Sequence, residues 1–251
     1  MSRAFAGPST NSTITFSAGT APPDQGPFTL AALVKANAGF GWIASGNNGT
    51  TPNWSAGLDT SAWFLWNDFT SGRAQIITTG HWSWVVSTKT SGSTVPRWHI
   101  RDVTSAGSWD HTNTTGGSVA DNTGTITNVL VGNFGGAGAA NCWQGSIAAI
   151  AAWDTTFTDL QVEGLATLSA ADLLSGGGVT PAKWMVRLNQ ASTATSVPDD
   201  TGGGGNQTAT SGTSIDADEP PGWNYSLTSG GYVRPPQPRP RQAVGQRFLG
   251  W

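Results

Sequence analysis

The stretch from Trp143 to Asp154, WQGSIAAIAAWD, constrains the fold more than any other part of the chain. Its odd positions carry the two tryptophans, Ile147 and small residues, whereas its even positions begin with Gln144 and Ser146 and end with Asp154. Side chains of a strand point alternately to opposite faces of a sheet, so residues that sort with a period of two are typical of a β-strand. The pattern therefore predicts a strand that contributes one face to a core.

A second β-rich run, Asn128 to Phe134 (NVLVGNF), lies just before this stretch. The connection from Gly135 to Cys142 is mostly glycine and alanine and has no helical periodicity, so we expect the two runs to pair as an antiparallel hairpin. Just after the stretch, Thr158 can cap a short helix, and Gln161 can complete the capping box. The predicted order of elements along the chain is a hairpin, whose second strand is the apolar stretch, followed by a short helix.

Most of the remaining chain also has the short alternating runs and frequent turns that predict a two-sheet antiparallel sandwich. Within these runs, Trp82, Trp84 and Val86 share one face, and Trp98 and Ile100 point inward. A second short helix is predicted before Gly176, where Ser169 and Asp172 form a capping box. The predicted strands are Ser12–Phe16, Phe28–Lys35 (a central strand), Trp54–Asp68, Ala74–Thr78, His81–Ser87, Arg97–Val103, Lys183–Leu188 and Thr208–Ile215.

Several of these segments together resemble the laminin-G-like, or concanavalin A-like lectin and glucanase, jelly-roll domains. The resemblance lies in NVLVGNF, the WQGSI run that begins at Trp143, and FTDLQV, and it extends upstream to FTLAALVK and HWSWVVS, so it covers about residues 12–216. It implies an all-β, two-sheet antiparallel jelly-roll with one or two short helices. Ala148 and Ala149 depart from the pattern, because the family usually has acidic residues at these positions.

The last 22 residues differ in composition from the rest of the chain. Residues 1–229 hold eight basic and fifteen acidic residues, whereas residues 230–251 hold four arginines and no acidic residue. Four prolines between positions 235 and 240 favour extended geometry and exclude a helix there. We therefore predict a jelly-roll domain at 1–229 and an extended anchoring arm at 230–251, which binds an acidic partner through Arg234, Arg239, Arg241, Arg247, Phe248 and Trp251.

The sequence argues against an enzyme. Glucanases of this fold use paired carboxylates on a strand, but the only glutamates are Glu163, in the predicted helix, and Glu219, beside a proline. No nucleophile elbow, zinc-protease motif or Cys-x-x-Cys motif occurs. His81 and His99 lie within strand patterns and are read as ordinary strand residues.

We predict no cofactor and assign no metal site. Calcium is common in such jelly rolls, and the candidate ligands for it are Asp59, Asp68, Asp110 and Asp121.

Carbohydrate binding fits the composition better. A sugar site usually offers an aromatic face to the pyranose ring and polar side chains to its hydroxyl groups. Three clusters that are predicted to lie in loops have this character, at Asn53-Trp54, Trp66-Asn67-Asp68 and Trp109-Asp110-His111. The alternative is that these tryptophans belong to the core. The predicted ligand-binding residues are Trp54, Trp66, Asp68, Trp109 and His111.

Two functional classes follow from the sequence. The first is a structural protein of a phage virion, resembling the minor tail or capsid-surface proteins of phages that infect high-GC Gram-positive hosts. Several copies would be fixed to the particle by the arm and would bind a host-surface glycan. The second is a free or cell-surface bacterial carbohydrate-binding module. The start of the chain lacks an apolar signal region, and the basic arm suits assembly. We therefore favour the virion and predict neither a nucleic-acid partner nor membrane insertion.

Overall fold

The computed structural model describes residues 2–7, 12–17, 27–37, 41–47, 52–58, 62–65, 72–74, 77–90, 96–113, 126–133, 142–165, 169–189, 197, 199–202 and 207–226. Within these residues the strands form two antiparallel sheets. The first sheet contains β1 (Ser2–Ala6), β3 (Phe28–Ala36), β8 (Trp82–Lys89), β9 (Arg97–Asp102), β10 (Asp110–Asn113), β12 (Gln144–Trp153), β13 (Trp184–Arg187) and β15 (Thr213–Asp216). The second contains β2 (Thr13–Ser17), β4 (Gly41–Asn47), β5 (Pro52–Leu58), β6 (Ala62–Leu65), β7 (Gly72–Ala74), β11 (Asn128–Val131) and β14 (Gln207–Ser211).

The two sheets enclose the main hydrophobic core. The inward faces contribute aromatic and branched side chains, because such residues pack well between two pleated surfaces. Phe16 of the second sheet, for example, meets Trp184 of the first in an edge-to-face contact with ring centroids 5.5 Å apart. The prediction of an all-β, two-sheet antiparallel sandwich is confirmed.

The outer face of the first sheet is also buried. It is covered by α1 (Asp159–Leu165) and α2 (Ala170–Ser175), which is followed by a 3₁₀ turn at Gly176–Gly178. Val162 and Leu173 of these helices belong to a second hydrophobic cluster that includes Trp82, Trp84 and Ala151 of the sheet. The molecule therefore has three layers, in the order second sheet, first sheet and helices.

Strand β12 lies at the centre of the first sheet. One of its edges pairs with β3 over the whole strand. The opposite edge is shared, because β1 pairs with Gln144–Ile147 and β13 pairs with Ala149–Ala152. Buried side chains cover both faces of the strand, so it is fixed on both edges and both faces.

The strand predicted at Trp143 to Asp154 is confirmed, but its two faces were assigned wrongly beyond Ile147. The register with β3 shifts between Ile147 and Ala149, which marks a β-bulge. Ile147 and Ile150 both reach the main core, whereas Ala149 and Ala151 face the helices. Ala148 and Ala149 are fully buried under the helical layer, where an ionised acidic residue would be costly.

The predicted hairpin between residues 128–134 and 143–154 is wrong. Strand β11 pairs with β2 and β4 in the second sheet, whereas β12 belongs to the first sheet. The chain therefore crosses from one sheet to the other between these runs. A hydrogen bond from the backbone N–H of Trp143 to the carbonyl of Gly132 (2.8 Å) marks the crossing.

Other strands were predicted in the right region but with wrong limits. The run Trp54–Asp68 contains two strands, β5 and β6, and the strand predicted at Ala74–Thr78 is replaced by β7, which ends at Ala74. The run Thr208–Ile215 is also divided, because the chain turns at Gly212, which has a φ of 59°. Its two halves, β14 and β15, join different sheets. The remaining predicted strands are present, with limits that differ by one or two residues.

Both predicted helix caps are present. The Thr158 backbone N–H donates to Gln161 Oε1 (2.8 Å) at the start of α1. Ser169 and Asp172 form the reciprocal capping box of α2, and Gly176 ends that helix in the left-handed conformation. Neither described helix has the length and apolar character needed to cross a membrane.

An ion-pair network, buried at Lys35 and exposed at Asp218, ties the last strand, β15, to the central strands of the first sheet. Lys35 Nζ of β3 donates to Asp216 Oδ2 (2.8 Å) and to Asp218 Oδ2 (2.7 Å), and the Ser146 hydroxyl of β12 also donates to Asp216. Burial opposes ionisation of both partners. The hydrogen bonds prevail, so they raise the pKa of Lys35 and hold the pKa of Asp216 below its usual range.

The close approach of β3 and β12 gives the first testable prediction. Gly145 has a φ of 147°, and a Cβ atom there would lie 2.0 Å from the Lys35 carbonyl oxygen. We expect Gly145→Ala to lower the free energy of unfolding by at least about 2 kcal/mol, because both the backbone strain and the clash involve main-chain atoms. Urea unfolding monitored by tryptophan fluorescence measures the change.

The matched control is Gly164→Ala in α1. Apart from its chain neighbours and the backbone of its own helix, no atom lies within 4 Å of a Cβ atom at that position, and alanine favours a helix over glycine by about 1 kcal/mol. This variant should be as stable as the parent chain or more stable. If Gly145→Ala unfolds at the same urea concentration as the parent, the β3–β12 register is wrong.

Candidate functional site

The candidate site lies on the outer face of the first sheet, where the edge hairpin β9–β10 meets α1. Trp98 and Ile100 of β9 point into the main core, so Arg97, His99 and Arg101 point toward the helical layer. The register pairs His99 directly with His111 of β10. Their side chains therefore project side by side on that face.

The two imidazole rings lie in a continuous chain of contacts. His99 Nδ1 lies 2.6 Å from His111 Nδ1. On the outer side, His111 Nε2 lies 3.0 Å from Glu163 Oε1, and on the buried side His99 Nε2 lies 3.0 Å from Thr88 Oγ1. The chain of contacts thus leads from the buried strand β8 to a carboxylate on the exposed side of α1.

When both imidazoles are neutral, the chain of contacts determines which ring nitrogen of each histidine carries the proton. An ionised carboxylate only accepts, so His111 Nε2–H must donate to Glu163. His111 Nδ1 is then an acceptor, His99 Nδ1–H is the donor to it, and the Thr88 hydroxyl donates to His99 Nε2. All four groups are satisfied by one set of tautomers.

Asp159 completes the cluster from the first turn of α1. Its Oδ2 accepts a hydrogen bond from Arg97 Nη2 at 2.6 Å. Its other oxygen, Oδ1, lies 3.7 Å from His99 Nδ1 and 3.9 Å from His111 Nδ1. The Arg97 guanidinium therefore holds the carboxylate so that its free oxygen faces both histidines.

An open pocket of about 420 Å³ adjoins this cluster. The Trp109 ring lies nearly parallel to the His111 ring, with an interplanar angle of 13° and a centroid separation of 6.0 Å. Arg101 Nε donates to the Gly107 carbonyl (2.9 Å), which holds the guanidinium at the pocket wall. The pocket thus combines one aromatic ring with charged and polar groups, and its lining residues are Arg101, Ala106, Gly107, Ser108, Trp109 and Glu163.

Asp102 organises the turn that forms one wall of the pocket. Its Oδ1 accepts from the Ser105 backbone N–H (2.9 Å), its carbonyl accepts from the Gly107 N–H, and its Oδ2 lies 2.7 Å from His81 Nδ1. Burial acts to raise the pKa of Asp102, but the hydrogen bonds from Ser105 and His81 hold it below its usual range. The turn is therefore held by an ionised carboxylate, and it places Ala106 in the left-handed region with a φ of 54°.

The structure brings together two of the predicted ligand-binding residues, Trp109 and His111. The segment that contains His111 is strand β10 and not a loop as predicted. Trp54 belongs to β5 of the second sheet, and its side chain lies outside the described residues, as do Trp66 and Asp68. The six predicted anchoring residues of the arm also lie outside them, so the arm stays a prediction.

Of the four calcium candidates, only Asp110 is described, and it lies in β10. In the part of the chain that the structure describes, one group of three imidazole, thiolate or carboxylate side chains is close enough to share an ion. That group is His99, His111 and Asp159, and it does not include Asp110.

Sequence reasoning missed His99, Arg101, Asp159 and Glu163 as members of the site. His99 is a strand residue as predicted, but its ring contacts His111 instead of serving only the core. The sequence did contain a signal for His99. Strand β9 and the segment after it form a hairpin, and the register of a hairpin decides which residues of its two strands lie opposite each other. The contribution of α1 could not be read from any local pattern.

No protein-family model matches the sequence, and no curated protein matches it. Solved structures do share its fold. A Bacteroides ovatus protein proposed to bind carbohydrate aligns with a TM-score of 0.55 at 11% identity, over 84% of this chain and 57% of that protein. The chain therefore spans little more than half of that protein's length, and the likeness shows the fold alone.

Two further solved structures align less closely. A heptameric pentraxin from Limulus polyphemus aligns with a TM-score of 0.42 at 14% identity, over 66% of this chain and 81% of the pentraxin. Domains LG4-5 of the mouse laminin α1 chain align with a TM-score of 0.43 at 10% identity, over 62% of this chain and 43% of the laminin fragment.

Proposed function

We propose that this chain binds carbohydrate at the pocket beside Trp109 and displays that site on the surface of a phage virion. The observation that supports it is the combination at one pocket of an aromatic ring, a hydroxyl and both signs of charge. The fold shared with the Bacteroides ovatus protein is consistent with this role.

The pocket chemistry suits a sugar. The Trp109 ring can pack against the apolar face of a pyranose, while Arg101 and Ser108 can donate to hydroxyl oxygens and Glu163 can accept from hydroxyl groups. The pocket is open to solvent, and the described part of its lining has one aromatic residue, so affinity at a single site is expected to be weak. Many copies on one particle would raise the apparent affinity by multivalency.

Binding without catalysis fits the same pocket. Glycoside hydrolysis usually requires two carboxylates, one on each side of the scissile bond. Among the described residues that line the pocket, Glu163 is the one carboxylate, and it accepts a hydrogen bond from His111. Its carboxylate is therefore already engaged as a hydrogen-bond acceptor.

Virion display rests on the arm at residues 230–251. Its arginines can bind carboxylates in bidentate geometry, and the closing Phe248 and Trp251 supply apolar anchors. A free lectin has no evident use for such a segment. We therefore assign the jelly-roll body to glycan binding and the arm to a neighbouring virion subunit, on either the tail or the capsid.

The second prediction tests the pocket. We expect Trp109→Ala to weaken binding of the full chain to host cell-wall polysaccharide by about fivefold, because a stacked aromatic contributes roughly 1 kcal/mol. Isothermal titration with polysaccharide fragments measures the single-site affinity. Trp223→Ala is the matched control: Trp223 is also partly buried on the outer face, where it packs edge-to-face on Trp84 at 5.6 Å, but it does not line the pocket. The Trp223→Ala chain should bind the polysaccharide fragments with the affinity of the parent chain.

Three outcomes would count against this assignment. Unchanged affinity of a folded Trp109→Ala chain would exclude the pocket, and loss of binding in Trp54→Ala or Trp66→Ala would move the site to the clusters around those residues. Release of reducing sugar from the polysaccharide would refute binding without catalysis. Thermal melting of each variant shows whether it is folded.

The third prediction tests the arm. We expect a chain without residues 232–251 to keep glycan affinity but to be absent from purified particles, because the proposed anchors are removed. Immunoblotting of particles grown on a host that supplies either form measures incorporation. A full-length chain with serine in place of Arg234, Arg239, Arg241 and Arg247 should be incorporated poorly as well. Normal incorporation of both altered forms would contradict the anchoring role of the arm. Absence of the unaltered full chain from the particles would favour a free or cell-surface bacterial module.

A further inference from the structure

We propose that His99, His111 and Asp159 form a binding site for a divalent transition-metal ion such as Zn²⁺. The site does not depend on glycan binding at the adjoining pocket. It joins three elements, because the ligands come from β9, from β10 and from the first turn of α1.

The positions of the three donor atoms fit a single ion. His99 Nδ1, His111 Nδ1 and Asp159 Oδ1 form a triangle with sides of 2.6, 3.7 and 3.9 Å. A triangle with these sides has a circumradius of about 2.0 Å, so an ion at zinc-ligand distance from all three atoms would lie in or close to their plane. The two nitrogens would move apart from 2.6 Å to give the ion tetrahedral angles. Zinc binds imidazole nitrogen and carboxylate oxygen at about 2.0–2.2 Å.

The second contact of His111 is the one expected of a metal ligand, and His99 has a polar contact in the same position. A metal-bound histidine usually donates its other ring N–H to a carboxylate, a backbone carbonyl or water, which sets the tautomer. His111 Nε2 already faces Glu163 Oε1 at 3.0 Å, and His99 Nε2 faces Thr88 Oγ1 at 3.0 Å. Metal binding therefore requires that the His99 proton move from Nδ1 to Nε2, that the Thr88 hydroxyl turn to accept it, and that the two Nδ1 atoms separate from their hydrogen-bond distance.

The charge and exposure of the cluster also suit a cation. Asp159 and Glu163 carry two negative charges, Arg97 neutralises one of them, and a net negative charge remains for the ion. The His99 side chain is fully buried, but those of His111 and Asp159 are 15% and 39% exposed, so an ion can enter from solvent. Two imidazoles with one carboxylate favour zinc over calcium or magnesium, which prefer oxygen ligands.

Three protein ligands leave a fourth position for water, as in open zinc sites. The bound ion would clamp the start of α1 to the edge hairpin β9–β10. It would thereby fix Trp109 and Glu163, which line the adjoining pocket. If no metal ion binds, a proton lies between the two Nδ1 atoms, and the two rings are joined by a hydrogen bond.

The experiment is titration of ZnCl₂ into the full chain, purified without a polyhistidine tag and stripped of metal with a chelator. Isothermal titration calorimetry should give one equivalent of Zn²⁺ per chain. His111→Ala should weaken binding by at least about 100-fold, because a ligand is lost, and Glu163→Gln by about 10-fold or more, because the histidine loses its orienting acceptor. His81→Ala is the matched control and should bind as the parent does, since His81 contacts Asp102 and not the cluster.

A second measurement keeps the test decisive if His111→Ala does not fold. Crystals of the parent chain grown with Zn²⁺ should show an anomalous scattering peak between the three donor atoms, and Asp159→Asn, which keeps the size of the side chain, should lose it. Absence of that peak in the parent, sub-stoichiometric binding, or equal affinity of a folded His111→Ala chain would each overturn the site.

Discussion

The pairing of β12 on both edges and its burial on both faces determine the rest of the architecture. The strand is bound by β3 on one side and by β1 and β13 on the other, with the main core below it and the helices above it. Such a position excludes charged side chains and favours small ones. Alanines 148, 149 and 151 satisfy that requirement, and their small size lets α1 and α2 approach the sheet.

The close approach of α1 positions the candidate site. Because the helix packs on the outer face, its first residue, Asp159, reaches Arg97 at the start of β9. One turn later, Glu163 reaches His111 on the edge strand. The histidine pair belongs to the sheet, and both of its carboxylate neighbours belong to the helix, so the cluster exists only in the assembled three-layer fold.

The sequence predicted those features that depend on local patterns. The caps at Thr158 and Ser169 follow from side chains three residues apart, and the central strand at Phe28 follows from its apolar alternation. The bulge after Ile147 was missed, although Ile147 and Ile150 are three residues apart and cannot share a face of a regular strand. The three-residue spacing of these two core isoleucines therefore indicates a β-bulge between them.

Features that depend on pairing between distant segments could not be predicted. The partners of β11 lie more than 80 residues away in the chain, at Asn47 and Ser17, and no local pattern specifies them. Likewise, His111 was singled out from its neighbours Trp109 and Asp110, but its partner His99 became visible only through the β9–β10 register. Asp159 and Glu163 required in addition the packing of α1 on the sheet.

Nuclear magnetic resonance of the tryptophan indole N–H groups, recorded during titration with cell-wall glycan fragments, shows directly where the ligand binds. The chain has 13 tryptophans, and the indole of Trp109 can be assigned from the spectrum of a variant that lacks it. We expect the Trp109 signal to shift in a saturable manner, while signals of core residues such as Trp143 and Trp184 stay in place. A Trp109 signal that does not move while the indole of Trp54 or Trp66 shifts would contradict a site between α1 and the edge hairpin.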